Sequence, residues 1–426
     1  MAVKSSGARP ALARNVKVLA AVSFFTDVAS EMIYPLLPLF LSTVIGTSAA
    51  ALGVIEGLAE SVSALLRLPA GWWSDRIRRR KPLVAFGYTV AALARPLIGL
   101  AQTTGQVLAI RLADRFGKGV RTAPRDALIA DSVEPSQRGY AYGVHRAADN
   151  LGAVLGPLVA WALLTLGWVE LRGLFLWALV PGLVSVVLVL VFVRETPVSD
   201  HVAVVAAVAA VAAVAAEQVD RSAPLGGTFW RYLIVVFLFT LGASTDAFLL
   251  LRASQLGVAT AMIPILWALL HVVKSSSTVL GGALSDRVGR RPLILGGWSV
   301  YALVYLAFAL ASVQWHAWAI FVVYGLYFGM TEGTEKAMVA DLVPASRRGT
   351  AFGWFNAALG LGALPASVVF GIVWQRYGAE AAFVMGAGLA ALATLLFVLI
   401  VPGLSSSATQ ASRTAPPTDR PRTPAR

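Results

Sequence analysis

Arg125-Asp-Ala-Leu-Ile-Ala-Asp131, followed by Gln137-Arg-Gly-Tyr-Ala-Tyr-Gly143, has a second copy at Glu335-Lys-Ala-Met-Val-Ala-Asp341 and Arg347-Arg-Gly-Thr-Ala-Phe-Gly353. The offset is 335 − 125 = 210 residues. A second pair keeps nearly the same register: Gly71-Trp-Trp-Ser-Asp75-Arg76 recurs as Gly282-Ala-Leu-Ser-Asp286-Arg287, at 286 − 75 = 211. Two coincidences in one register mean that the chain is built from two related halves.

The medium in which those halves fold follows from composition. Hydrophobic residues make up 58% of the chain and charged residues 13%, with a mean hydropathy of +0.73; a soluble domain carries about 25% charged residues. Apolar runs of about 20 residues, enough for a helix to cross a hydrocarbon core of about 30 Å, fall near 16–43, 50–73, 82–102, 106–130, 138–166 and 170–193, and again near 229–253, 258–284, 290–312, 315–343, 348–375 and 379–402. The runs are continuous rather than alternating with period 2, which excludes a membrane β-barrel. The expected fold is an all-α membrane protein of twelve transmembrane helices in two six-helix halves. The divisions are a cytoplasmic segment 1–14, an N-terminal half 15–193, a cytoplasmic linker 194–228, a C-terminal half 229–402 and a disordered cytoplasmic tail 403–426. Internal repeats in so hydrophobic a chain are the signature of secondary transporters, whose halves rock against each other.

The net charge of +13 argues for topology rather than for nucleic acid. Lys4, Arg9, Arg14, Lys17, Arg76 to Lys81, Arg138, Arg194, Arg221, Arg231, Arg287, Arg290, Arg291, Arg347 and Arg348 all fall between spans on one side, whereas the connections near 44–49, 103–106 and 254–259 carry almost no Lys or Arg. The positive-inside rule then puts both termini in the cytoplasm. The first apolar run is too long for a signal-peptide core and is expected to stay as a span. There are no cysteines, so structural disulfides and thiolate metal sites play no part; no metal or other cofactor is expected.

Gly71-x-x-x-Asp75-Arg76 and its fuller echo Gly282-x-x-x-Asp286-Arg287-x-Gly289-Arg290-Arg291 resemble the loop motif between spans 2 and 3 of the major facilitator superfamily. In the first copy Arg78 stands where the motif has glycine. The resemblance covers essentially the whole chain. It implies that Asp75 and Asp286, at helix ends, meet a neighbour's positive N-terminus and latch the halves in the outward-open state. Gly143-(x)8-Gly152-(x)3-Gly156-Pro157 resembles the antiporter motif of the superfamily's drug-efflux branch, though Ala160 and Trp161 replace its later glycine pair. Close packing of a membrane helix is the plainer reading of those glycines.

Ionisable residues inside a membrane are expensive and are functional candidates by default. Arg111, Arg115, Lys118, Arg121 and Arg125 recur at helical spacing in segment 4, with Asp114 and Asp126 nearby. The resemblance implies that spans 1, 4, 7 and 10 line a central cavity, so Arg111, Asp114, Arg115, Lys118, Arg121 and Arg125 are cavity candidates suited to an anionic substrate. The competing account pairs most of them with acids on adjacent spans: Asp27 and Glu31, Glu56 and Glu60, or Asp149 beside His145 and Arg146. Across the repeat the charges invert, since Arg125-Asp126 corresponds to Glu335-Lys336 and Thr122 to Glu332; pairs such as Arg125 with Glu335 would then break and remake during alternation. A proton-coupling carboxylate needs an environment that changes with conformation. Asp27, Glu31 and Asp246 are first choices, then Glu332 and Glu335, with His145 and His271 behind them.

No phosphate loop for ATP and no nucleophile–base arrangement for an enzyme is present, and soft-metal carriage is unattractive without cysteine. Hard cations at Asp27 and Glu31 remain open. The leading expectation is a monomeric proton-coupled antiporter exporting a drug-like or anionic small molecule across a bacterial cytoplasmic (inner) membrane. An importer of an organic anion or siderophore is the alternative, and a non-transporting membrane sensor a third.

Overall fold

The computed structural model describes residues 12–77, 79–134, 137–195, 225–344 and 347–401. Most of the expected linker and the whole of the expected tail therefore lie outside the described residues, as does Arg78. Twelve long helical segments run through the rest: α1 Arg14–Ile45, α2 Ala49–Ile77, α3 Lys81–Leu100, α4 Thr104–Asp131, α5 Arg138–Thr165 and α6 Leu171–Phe192, then α7 Gly227–Gln255, α8 Ile263–Val288, α9 Arg290–Leu310, α10 Gln314–Asp341, α11 Arg348–Tyr377 and α12 Ala379–Ile400. No strand occurs among the described residues. Ten of the twelve are long and apolar enough to cross a membrane by length and composition. The other two are α4, which carries the charged stripe, and α10, where Trp315, His316, Trp318, Tyr324 and Tyr327 dilute the aliphatic residues.

Local chemistry sets the helix ends. α4 starts at a capping box, in which Thr103 accepts from the Gln106 backbone N–H at 3.3 Å while the Gln106 side chain accepts from the Thr103 N–H at 3.2 Å, satisfying otherwise orphaned donors. The Glu195 carboxylate takes the Arg80 and Lys81 backbone N–H groups at 2.6 and 3.0 Å and so seals the start of α3. Gly289 separates α8 from α9 with φ of 96°, a conformation that glycine alone adopts freely. Two helices are not regular. In α1, Pro35 and Pro38 interrupt the α pattern beyond Glu31, and 3-10 and π turns carry it to Ile45, because proline removes a ladder donor. In α7 the expected continuous span breaks at Ala243–Thr245. Ser244 hydrogen-bonds Tyr305 at 2.8 Å and the Thr245 hydroxyl accepts from Ala247, local bonds that compete with the helical ladder.

The repeat that relates the halves has a structural use within each. Arg80 bridges Asp131 at 2.6 Å and, one repeat later, Arg290 bridges Asp341 at 3.4 Å. Each bridge joins the Gly-x-x-x-Asp-Arg loop to the end of the Ala-Asp segment, so the two duplicated stretches are one device, built twice.

Between the halves, α2 packs on α11 and α5 on α8. The contact lies toward the face opposite the basic loops. A Cβ on Gly53 would strike the Ser367 carbonyl oxygen, one on Gly57 would come within 3.0 Å of the Leu364 backbone, and one on Gly371 within 3.0 Å of Ala50. Ser61 donates to the Gly360 carbonyl at 2.6 Å. Nearer the basic face α2 leaves its partner: Leu68, Trp72 and Trp73 are exposed. The molecule is sealed at one face and splayed at the other.

Candidate functional site

Two adjoining chambers of about 530 and 580 Å³ fill the space between the halves. They share Glu31, Arg67, Lys118, His271 and Lys274 in their walls. The first runs up to Tyr34, Trp267 and the broken stretch Ala243–Asp246; the second runs toward the basic face past Asp27, Arg121, Arg125, Arg146, Asp149 and Glu332.

The cationic stripe of α4 divides along its length. Arg111 forms a two-pronged bond with Glu56 of α2, at 2.9 and 2.7 Å. Asp114 takes the Arg95 guanidinium of α3 at 2.8 Å and lies 3.6 Å from Arg111. Asp114, Arg95, Arg111 and Glu56 are all buried, and neither Arg111 nor Asp114 stands in a chamber wall. Their expected place in the cavity is thus corrected: Glu56 on α2 draws Arg111, and Arg95 on α3 draws Asp114, behind the wall, where their charges cancel. Arg115 does reach the cavity but is tied to Glu60 at 3.2 Å, and Arg125 bonds its neighbour Asp126 at 2.8 Å. Lys118 and Arg121 also reach it, and neither forms a hydrogen bond or ion pair there; the Arg121 guanidinium rests 4.3 Å from the centre of the Tyr88 ring.

The candidate coupling acids divide too. Glu31 crosses between the halves, accepting from Trp267 Nε1 at 2.8 Å and lying 3.7 Å from His271 Nε2, both on α8. Asp246, at the restart of α7, accepts from the Tyr324 hydroxyl at 2.6 Å. Glu332 holds Arg146 of the other half at 2.9 Å and Lys274 at 3.6 Å. Asp27 lines the second chamber with no hydrogen bond or ion pair to its carboxylate, and Lys118 and Arg121 are among its charged neighbours. Glu335 is turned out of both chambers onto Trp298 Nε1 at 2.8 Å. The expected Arg125–Glu335 pair is therefore absent here, and Arg146 with Glu332 forms an ion pair across the halves nearby. His145 lies 3.6 Å from Asp149, which also accepts from Ser23.

The motif residues are placed as follows. Asp75 is 72% exposed with Arg80 as its partner at 3.6 Å, so its latch is not engaged at this splayed face, and Arg76 lies over the Trp72 ring. The Asp286 side chain lies outside the described residues, and Arg287 is exposed. A Cβ on Gly71 would meet Ala123 of α4 at 3.4 Å, whereas one on Gly282 would stand in open space; its neighbour Gly281 is the one pressed against Gly329 of α10. In α5, Gly152 and Gly156 let α1 approach within contact of Phe24, Val28 and Met32, while Gly143 has nothing near it. Pro157 is buried in the same helix.

Arg67, Arg95, Trp267 and Lys274 complete the site and were missed from the sequence. The signal was there for three of them, because each is an ionisable residue inside an apolar run, but none belongs to a periodic stripe. Trp267 carries no such mark.

A family model described as Major Facilitator Superfamily matches residues 19–364. An uncharacterised MFS-type transporter of Methanocaldococcus jannaschii is 31% identical over 395 residues, covering 91% of this chain and 95% of that protein. Multidrug resistance protein MdtG of Enterobacter lignolyticus is 24% identical over 412 residues, covering 94% of each chain. Among solved structures, a D-xylose-proton symporter superposes with a TM-score of 0.70 at 19% identity, covering 91% of this chain and 97% of that one.

Proposed function

Since the chain belongs to the major facilitator superfamily, we propose that it is a secondary active transporter that exports a small organic solute in exchange for protons. The observation that carries this reading is the cavity itself: it is walled by ionisable side chains from both halves, sealed by the α2–α11 contact at one face and open at the other. With the basic loops in the cytoplasm, the cavity faces inward, ready to load from the cell. The glycine contacts of α5 with α1 and the likeness to MdtG support the outward direction. Asp27 supports the coupling, being an ionisable carboxylate without a fixed partner in the path.

One observation favours a second reading. Asp27 has the carboxylates Asp149 and Glu31 and the cations Lys118 and Arg121 as charged neighbours, so a proton on Asp27 lowers the negative charge that an anionic solute would meet beside those cations. Proton and anion would then bind together, which is the logic of symport; antiport needs them to exclude each other. In inside-out vesicles holding a proton gradient, antiport releases protons from the lumen as solute enters, whereas symport moves both in one direction. Absence of any proton movement with a transported solute would sink both readings.

Alternation also predicts the behaviour of the seal. Gly53→Val drives a side chain into the Ser367 backbone and is expected to disfavour the inward-facing state. The cysteine-free chain allows a clean readout with Thr278→Cys, which lines the open chamber. Labelling by an impermeant maleimide from the cytoplasmic side should fall, and a tenfold fall from a mostly inward-facing population requires a shift well above the roughly 1.4 kcal/mol that changes the equilibrium constant tenfold. Unchanged labelling would mean that the Gly53 contact does not control the seal.

A further inference from the structure

We infer that the transported solute is a small organic anion, its carboxylate, phosphate or sulfonate held by Arg67, Lys118 and Arg121. This rests on the reading of the central cavity as the transport path and, of the two coupling schemes, agrees with symport. Most cavity cations are already matched: Arg115 by Glu60, Arg125 by Asp126, and Arg146 and Lys274 by Glu332. Three are not. Arg121 is 5% exposed and its Nη1 is buried without a hydrogen-bond acceptor; the Nε of Arg67 is likewise buried and unbonded. Lys118 stands between them in the shared wall of both chambers with no bonded partner.

A guanidinium withdrawn from water without an acceptor is costly, and the cost is removed when an anion occupies the site. Asp27 is the acid in the second chamber without a bonded partner. The arrangement is directional. Lys118 and Arg121 are three residues apart on one helix face, and Arg67 approaches from α2. Guanidinium forks match the paired oxygens of carboxylates and phosphates. Tyr34 and Trp267, with ring centres 5.3 Å apart, form the aromatic end of the first chamber. The geometry therefore fits an anionic head at Arg67 and Lys118 with an apolar or planar body directed at these rings.

The test uses the full-length protein in neutral detergent, with citrate as the probe and thermal unfolding at constant ionic strength as the readout. Citrate should stabilise the protein saturably and tetraethylammonium should not. Arg67→Gln and Lys118→Gln should each raise the half-saturating citrate concentration about tenfold, Arg67→Lys, which keeps the charge and loses the fork, should raise it less than Arg67→Gln, and the exposed control Arg231→Gln should bind close to the native protein. Displacement of citrate by inorganic phosphate would identify a free solute, and displacement by short-chain phosphatidylglycerol a lipid headgroup; both uphold the anion site. No saturable citrate effect, equal half-saturation in both Gln variants, or stabilisation by tetraethylammonium alone would overturn it. Proton-coupled flux of a cationic solute without citrate binding would defeat this inference and leave the exporter reading intact. Citrate binding without proton movement would do the reverse.

Discussion

Replacing Asp114 with Asn is expected to destabilise the protein by about 3–5 kcal/mol, the range for removing one partner of a buried ion pair. Asp114 is 2% exposed and lies within 2.8 Å of Arg95, 3.6 Å of Arg111 and 4.0 Å of Arg115. It is a single negative charge shared by three guanidiniums on two helices. Asn keeps the shape and one acceptor oxygen but loses the charge, so Arg95 is left buried as a cation with only neutral oxygens to bond, that of the amide and the Thr26 carbonyl at 3.1 Å. The loss should appear as a lower unfolding midpoint in detergent and a smaller monodisperse fraction on size exclusion. Because these residues share one network, the effects of substitutions within it will not add: Asp114→Leu combined with Arg95→Met should recover much of the stability that either change removes alone. An Asp114→Asn protein within about 1 kcal/mol of native would show that the network is better hydrated than its burial implies.

Asp27→Asn is expected to have the largest effect on activity. It should abolish proton-driven transport while leaving solute exchange across a vesicle membrane without a gradient. Asp27 bonds no protein group, so its replacement removes a titrating charge without breaking a structural pair. Glu31→Gln is the contrasting variant. Glu31 ties α1 to Trp267 and His271 across the halves, and its loss should weaken exchange as well as coupled flux. If Asp27→Asn still concentrates solute against its gradient, the coupling proton is carried elsewhere, with Glu332 as the next group to replace.

Much of the fold was legible because a bilayer leaves the backbone few solutions. Each polar peptide group must bond within its own segment, so length and apolarity alone locate helices such as α9 and α12. The repeat, read against the same constraint, divides the helices six and six. The break in α7 was not legible, since Ala243-Ser-Thr-Asp246 is an ordinary sequence until Tyr305 of another helix comes to meet it. The site was legible by residue type but not by partner. The spacing of α4 showed that Arg111, Arg115 and Lys118 share a face, but which of them spends its charge on α2 depends on how far Glu56 and Glu60 reach across the helix boundary. That is why Arg111 left the cavity and Lys118 stayed. The inverted charges at Arg125 and Glu335 do not meet; the ion pair across the halves is made one turn away, by Glu332 with Arg146.

The two halves share an ancestral pattern but have filled their interiors differently. Around α3 and α4 the buried centre is ionic, with Glu56, Arg95, Arg111, Asp114 and Arg115. Around α9 and α10 it is a stack of rings, Phe239 on Trp298 at 4.4 Å and Tyr301 on Tyr305 at 4.4 Å. Tolerance to substitution should follow this divide. A ring can be exchanged for another apolar group at a cost graded by volume, whereas a charge in a closed network has no near neighbour in sequence space. Across a saturation library the N-terminal half should therefore be brittle at a few positions and the C-terminal half forgiving at many, even though both began as copies of one module.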